Sequence, residues 1–135
     1  QRQMCIRDSF CKRNGIAVTA FSPLGSSSYI QLNMDNGHGI GVLKEPEVTS
    51  IAKKHGKTAA QVVLRWNVQR GCTIVPKSTN AGRLAENIGL FDFELDDADM
   101  QTMASLDRGL RYNDPGEFAK GFGTEWAENG YPIYG

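Results

Sequence analysis

The sequence predicts an α/β fold in which two buried parallel strands are joined by a helical crossover. Two short runs rich in apolar and β-branched residues carry the strand prediction: Ile16-Ala17-Val18-Thr19-Ala20-Phe21 and Cys72-Thr73-Ile74-Val75-Pro76. About fifty residues of mostly helical pattern lie between them, and a crossover of that length makes the strands parallel. Strand accounts for only ~8% of the chain, against a usual ~20–25%. A parallel sheet is normally covered on both faces, so the two strands are expected to belong to a larger α/β structure.

Taken in order, Gln1-Arg2-Gln3-Met4-Cys5-Ile6-Arg7-Asp8-Ser9 holds no clear apolar stripe, and residues 1–9 are read as a non-native or disordered leader. Residues 10–135 are read as the functional unit. Phe10-Cys11-Lys12-Arg13-Asn14-Gly15 has basic residues followed by Gly, the signature of a helix C-terminus. The first strand follows and is closed by Ser22-Pro23-Leu24-Gly25. Residues 26–43 show little periodicity and are expected to form a long loop. Within it, Gly37-His38-Gly39-Ile40-Gly41 neither follows a strand nor opens a helix, so a flexible lid is preferred to a dinucleotide fingerprint.

Glu45-Pro46-Glu47 opens a helix whose Val48, Ile51, Ala52 and His55 fall at i, i+3, i+4 and i+7, with Gly56 as its stop. Thr58 and Gln61 fit a capping box at the start of the next helix. Val62, Val63, Leu64, Trp66 and Val68 spread around that helix, which predicts burial against two neighbours. After the second strand, Asn80 caps a short helix running through Asn87. Leu95 and Asp96 introduce a last helix with Met100, Met103, Ala104 and Leu106 as its apolar stripe. From Asp107 onward the chain is rich in Gly and aromatic residues with no helical period, a tail expected to pack over another surface. There is no internal repeat.

Composition narrows the class. The chain has 135 residues, 40% hydrophobic and 22% charged, with fifteen Lys and Arg balancing fifteen Asp and Glu. That apolar content supports a core and excludes a disordered chain. A zero net charge argues against nucleic-acid or anionic-membrane partners. No apolar run approaches the ~18 residues of a membrane span, and residues 1–9 hold no signal-peptide core. Three cysteines without a Cys-x-x-Cys motif predict free thiols in a reducing, cytoplasmic setting. His38 and His55 share no metal-ligand spacing, so no metal is expected. His55 after Lys53 and Lys54 reads as a favourable cation at a helix C-terminus.

The sharpest chemical signal is Ile74-Val75-Pro76-Lys77-Ser78-Thr79-Asn80 followed by Arg83. A strand end presenting Lys77 and Ser78, a helix start with open N–H groups and Arg83 one turn along together suit a phosphate. In β/α barrels, phosphate is often held by the loops after the last strands and a short helix N-terminus. On these residues alone, two cations merely solvated near a helix start remain an equal alternative.

Gly15-Ile16-Ala17-Val18-Thr19-Ala20-Phe21-Ser22-Pro23-Leu24-Gly25 resembles the seventh strand and following turn of the aldo-keto reductases. Lys57-Thr58-Ala59-Ala60-Gln61-Val62-Val63-Leu64-Arg65-Trp66 resembles their seventh helical segment. Ile74-Val75-Pro76-Lys77-Ser78, Arg83, Glu86-Asn87 and Phe91-Asp92-Phe93-Glu94-Leu95 match the family's C-terminal signature in order and spacing. Leu110-Arg111-Tyr112-Asn113-Asp114-Pro115 brings the likeness closest to the aldose and xylose reductase branch. The resemblance runs from about Phe10 to the end of the chain.

The resemblance implies the C-terminal portion of a (β/α)8 TIM barrel: the last two strands, their helices and the C-terminal loop. It implies NADPH/NADP as cofactor, a small-molecule carbonyl substrate such as an aldehyde or aldose, and a monomer or homodimer. By position, Lys77 and Arg83 would pair with the 2′-phosphate, with Ser78 and Thr79 hydrogen-bonding beside it. Glu86 and Asn87 would meet the adenine or its ribose; a plain polar helix face is the alternative. Phe21 would stack on the nicotinamide, where Tyr is commoner, or stand as a core aromatic at a strand end. Ser22, Leu24 and Ser26 would line the pyrophosphate. Asn113 would contact substrate, and Trp126 and Tyr131 would line its pocket or pack on the barrel. The family's catalytic Tyr, Lys, Asp and His come from the first half of the barrel, so no catalytic residue is expected here, and Tyr29 and Lys44 do not fill those roles. A non-catalytic NADPH-sensing barrel subunit and an inert truncated product are the alternative readings.

Overall fold

The computed structural model describes residues 2–25 and 41–108. Helix α1 (Arg2–Arg13) leads into strand β1 (Val18–Ala20). A 3-10 turn (Val42–Lys44) precedes α2 (Pro46–His55) and α3 (Ala59–Gln69), and strand β2 (Cys72–Ile74), α4 (Ala81–Ile88) and α5 (Asp97–Ser105) complete the order. The sheet is parallel, with Val18 opposite Cys72, Thr19 opposite Thr73 and Ala20 opposite Ile74. This is the crossover expected from the sequence, and it is a partial α/β piece.

The helices form where the sequence places their caps. Pro46 stands in the first turn of α2, and Gly56 takes the left-handed conformation (φ 61°) that ends it. The Thr58–Gln61 capping box is present: the Gln61 N–H donates to Thr58 Oγ1 at 3.3 Å, and the Thr58 N–H donates to Gln61 Oε1 at 3.1 Å. Asn80 caps α4 by accepting the Arg83 N–H at 3.0 Å. A second box opens α5, where Asp96 accepts the Asp99 N–H at 2.8 Å and Asp99 accepts the Asp96 N–H at 3.3 Å. Helix α1 extends back to Arg2, so residues 2–9 are helical, and Asp8 pairs with Arg70, whose guanidinium lies 4.3 Å from the centre of the Trp66 ring.

The core sits between α2, α3 and α5. Val48, Ile51, Ala52, Val62, Val63, Leu95 and Met103 are buried there, flanked by Leu43, Trp66 and Phe93. Helix α3 packs against α2, β2 and α4, the wide burial its apolar pattern predicts. One flank of α3 is polar instead. Gln61, Arg65 and Gln69, spaced one turn apart, fasten the chain that follows α4. Gln61 reaches the Glu86 and Gly89 carbonyls, Arg65 pairs with Glu94 at 3.2 Å, and Gln69 holds both backbone groups of Leu95, at 2.8 and 3.0 Å.

Two expectations are corrected. The strands are three residues each and are not buried: their outward residues face solvent, and Phe21 and Val75 beyond their ends are 74% and 72% exposed. The cause is that each strand has one described neighbour, so one face and both outer edges of the sheet lack cover among the described residues. Ala104 also leaves the predicted stripe of α5 and is exposed. Asp99 takes the buried flank with Met103, one turn apart, because Lys54 and His55 bind its carboxylate. The proposed lid, apart from Gly41 and the 3-10 turn, and the aromatic tail lie outside the described residues.

Candidate functional site

Parallel pairing brings the C-terminal ends of β1 and β2 side by side, since Ala20 and Ile74 are partners. The chain after each strand therefore emerges at the same end of the sheet. From β1 come Phe21, exposed, Ser22 and Leu24. Ser22 has φ 47°, a left-handed conformation that costs a non-glycine residue free energy and recurs at ligand-binding turns. The turn is closed by the Gly25 N–H donating to the Ser22 carbonyl at 2.8 Å. Gly25 itself has φ 80°, and a Cβ there would lie 3.0 Å from Val42 Cγ1.

From β2 come Lys77, Ser78 and Thr79. The Ser78 hydroxyl accepts the Asn80 N–H at 3.1 Å, which turns the loop into the start of α4. Asn80 then takes the Arg83 N–H, while the N–H groups of Ala81 and Gly82 find no partner among the described residues. Lys77, Thr79 and Arg83 are exposed. Neither Lys77 nor Arg83 forms an ion pair with a described residue, as is also true of Lys12, Arg13, Lys44 and Lys53, while Lys54, Lys57, Arg65, Arg70 and Arg108 are paired. Free amides, a positive helix end and two unneutralised cations make this corner suited to a dianion.

Glu86 and Asn87 lie half-buried on the last turn of α4. Glu86 Oε2 accepts from the Thr58 hydroxyl at 3.4 Å, so this carboxylate leans toward the start of α3. The described residues thus bring Phe21, Ser22 and Leu24 to the sheet end shared with Lys77, Ser78 and Thr79, with Arg83, Glu86 and Asn87 along α4. Ser26, Asn113, Trp126 and Tyr131 lie outside them. Among the described residues no group of three His, Cys, Asp or Glu side chains could hold a metal ion, and no helix is long and apolar enough to cross a membrane. Cys11 and Cys72 are free thiols.

A charged cluster on the far side of α2 escaped the sequence reading. Asp99 accepts Lys54 Nζ at 2.9 and 3.0 Å and is 2.7 Å from His55 Nε2, and Lys54 also reaches Asp96 at 2.6 Å. Hydrogen bonds to Asp96 and Asp99 raise the Lys54 ammonium, and the same lysine holds the Asp96 carboxyl low. Lys57 does likewise to Asp92, 2.6 Å away, and its ammonium lies 5.2 Å from the centre of the Phe93 ring. His55 is therefore a partner of a buried carboxylate as well as a residue at a helix end. Partners 42 to 45 residues apart leave no local signal.

The model of the aldo/keto reductase family matches residues 1–108. The NAD(P)H-dependent D-xylose reductase of Scheffersomyces stipitis is 46% identical over 112 residues, covering 82% of this chain and 35% of that protein. A probable NAD(P)H-dependent D-xylose reductase of Emericella nidulans is 46% identical over 108 residues, covering 79% of this chain and 34% of that one. Among solved structures, an aldo-keto reductase enzyme from a Medee basin deep-sea metagenome library matches with a TM-score of 0.64 at 33% identity, over 76% of this chain and 35% of that one. The chain spans about a third of the length of the curated relatives it matches.

Proposed function

Because the chain belongs to the aldo/keto reductase family, we propose that it is the C-terminal portion of an NADPH-dependent oxidoreductase that reduces aldehydes or aldoses to alcohols. It contributes the last two strands of a (β/α)8 barrel, the site for the 2′-phosphate and adenine of NADPH, and part of the substrate lid. The observation that carries this reading is the corner at the end of β2: Lys77 and Arg83, exposed and unpaired among the described residues, flank the open first turn of α4.

The donor set fits the group. A 2′-phosphate carries about two charges near neutral pH, and an ammonium, a guanidinium and two backbone N–H groups match it in number and sign. Arg83 supplies the planar fork for two oxygens and Lys77 a point charge. Ser78 and Thr79 stand beside them with hydroxyls, and Glu86 and Asn87 meet the adenosine. Phe21 offers an exposed π-face at the neighbouring strand end, which suits a flat ring, and Ser22 and Leu24, with Ser26, line the pyrophosphate. Bound NADPH supplies the hydride. Asn113, Trp126 and Tyr131 serve the substrate side.

The reading is tested by titrating NADPH and NADH against the full-length protein and its Lys77→Ala, Arg83→Ala variant. NADPH affinity is expected to fall about 100-fold, as loss of two charge-assisted contacts implies, while NADH affinity stays within about twofold. Equal affinities for the two nucleotides in the unaltered protein refute it. The purified 135-residue chain is expected to show no carbonyl reduction, because the family's proton-donating residues lie outside it.

A further inference from the structure

We propose that Gln61 is a positioning residue for the adenosine end of the nucleotide site, acting through α4 without touching the nucleotide. The inference rests on the nucleotide site proposed above and adds to it the residue that sets the helix carrying Arg83, Glu86 and Asn87.

Gln61 is 8% exposed and its carboxamide is fully used. Its oxygen accepts the Thr58 N–H at 3.1 Å. Its two N–H groups go to the Glu86 carbonyl at 3.3 Å and the Gly89 carbonyl at 3.0 Å. The amide has one possible orientation, since a carbonyl only accepts and a backbone N–H only donates. One side chain therefore caps α3 and also satisfies two carbonyls at the end of α4, which a helix leaves without partners.

Among the described residues, helix α4 has little else to hold it. None of its residues is buried, and Leu84 and Ile88 face solvent. Its anchors lie at its C-terminal end: the Gln61 carboxamide, the exposed Thr58–Glu86 contact, and Leu90, which is fully buried just beyond. Arg83 stands six residues before Gly89, about 9 Å away along the axis. A tilt of about 10° at the tethered end moves Arg83 by roughly 1.5 Å, enough to take a guanidinium out of hydrogen-bond reach of a phosphate held by Lys77. Lys77 leaves from β2, so it does not follow that tilt.

Two substitutions separate the tether from the cap. Gln61→Glu keeps an acceptor for the Thr58 N–H, because Glu suits the third position of a capping box, but turns both donors toward Glu86 and Gly89 into acceptors. Gln61→Met keeps the volume and removes both polar roles. In the full-length protein, Gln61→Glu is expected to raise the NADPH dissociation constant about tenfold and that of NADH two- to threefold, from the loss of two hydrogen bonds that hold α4. The KM for NADPH rises with it, and kcat at saturating nucleotide stays unchanged. Gln61→Met shifts the ratio the same way and carries the measurement if the Glu variant does not fold.

A merely structural residue lowers the melting temperature and leaves the NADPH-to-NADH ratio as it was; that result overturns the proposal. Arg83→Ala is measured alongside. A preference reduced in Arg83→Ala but kept in both Gln61 variants overturns the tether alone. A preference kept in Arg83→Ala overturns the tether together with the role of Arg83 in the phosphate reading, since the helix then carries no grip to be positioned.

Discussion

Replacing Asp99 with Asn is expected to cost about 2 kcal/mol at neutral pH, and the loss should vanish in acid. The carboxylate is 5% exposed and receives Lys54 at 2.9 and 3.0 Å, His55 at 2.7 Å and the Asp96 N–H at 3.3 Å. Asn keeps the shape but loses the charge and must turn an NH2 toward one of these donors. Lys54 is half-exposed and regains water, so its share is small. His55 is largely covered and loses a charge-assisted partner, a change of about 1.5–3 kcal/mol. Two kcal/mol is about a thirtyfold change in the ratio of folded to unfolded chain.

The pH dependence has a definite sign. Burial pushes the Asp99 carboxyl up, but hydrogen bonds from His55, Lys54 and the Asp96 backbone outweigh it and hold the group below the ordinary carboxylate value. A depressed folded value means the stabilisation is complete above the unfolded carboxylate range, about pH 4, and is lost as pH falls through the lower folded value. Urea unfolding of the full-length protein and its Asp99→Asn variant, followed by circular dichroism from pH 7 down to pH 3, reads both effects. A difference below about 0.5 kcal/mol at pH 7, or one that persists unchanged at pH 3, refutes the reasoning.

Leu64 is wholly buried, and Leu64→Ala is expected to cost about 3–5 kcal/mol, read as a lower urea midpoint with an unchanged slope. Gly25→Ala combines a φ of 80° with a Cβ 3.0 Å from Val42, and should destabilise by about 1–2 kcal/mol; a neutral result would show that the turn does not hold that conformation.

Caps and stops were legible because their chemistry is local. Pro46, Gly56, Thr58 with Gln61, and Asn80 each act within four residues of themselves, and each stands where its residue type predicts. The parallel pairing of β1 with β2 was legible from two apolar runs and the length between them. Strand burial was misjudged because it depends on what covers the strands, which no property of Ile16 or Val75 reveals. On α5 the apolar pattern favoured Ala104, yet Asp99 lies inside, because a methyl group contributes less than a carboxylate fully met by donors. At the site, the types and spacing of Lys77, Ser78 and Arg83 were readable, while the second use of the Gln61 carboxamide was not. A capping box accounts for its oxygen and says nothing about where its two hydrogens go.

The polar flank of α3 has one more consequence. Its ties are directional where an apolar contact is not, so each fixes one named point of the neighbouring chain. Gln61 takes Gly89, Arg65 takes Glu94 and Gln69 takes Leu95, with Leu90 and Leu95 buried beside them. The margin over residues 86–95 is thereby pinned in register along a single helix face, like cloth stitched at set intervals.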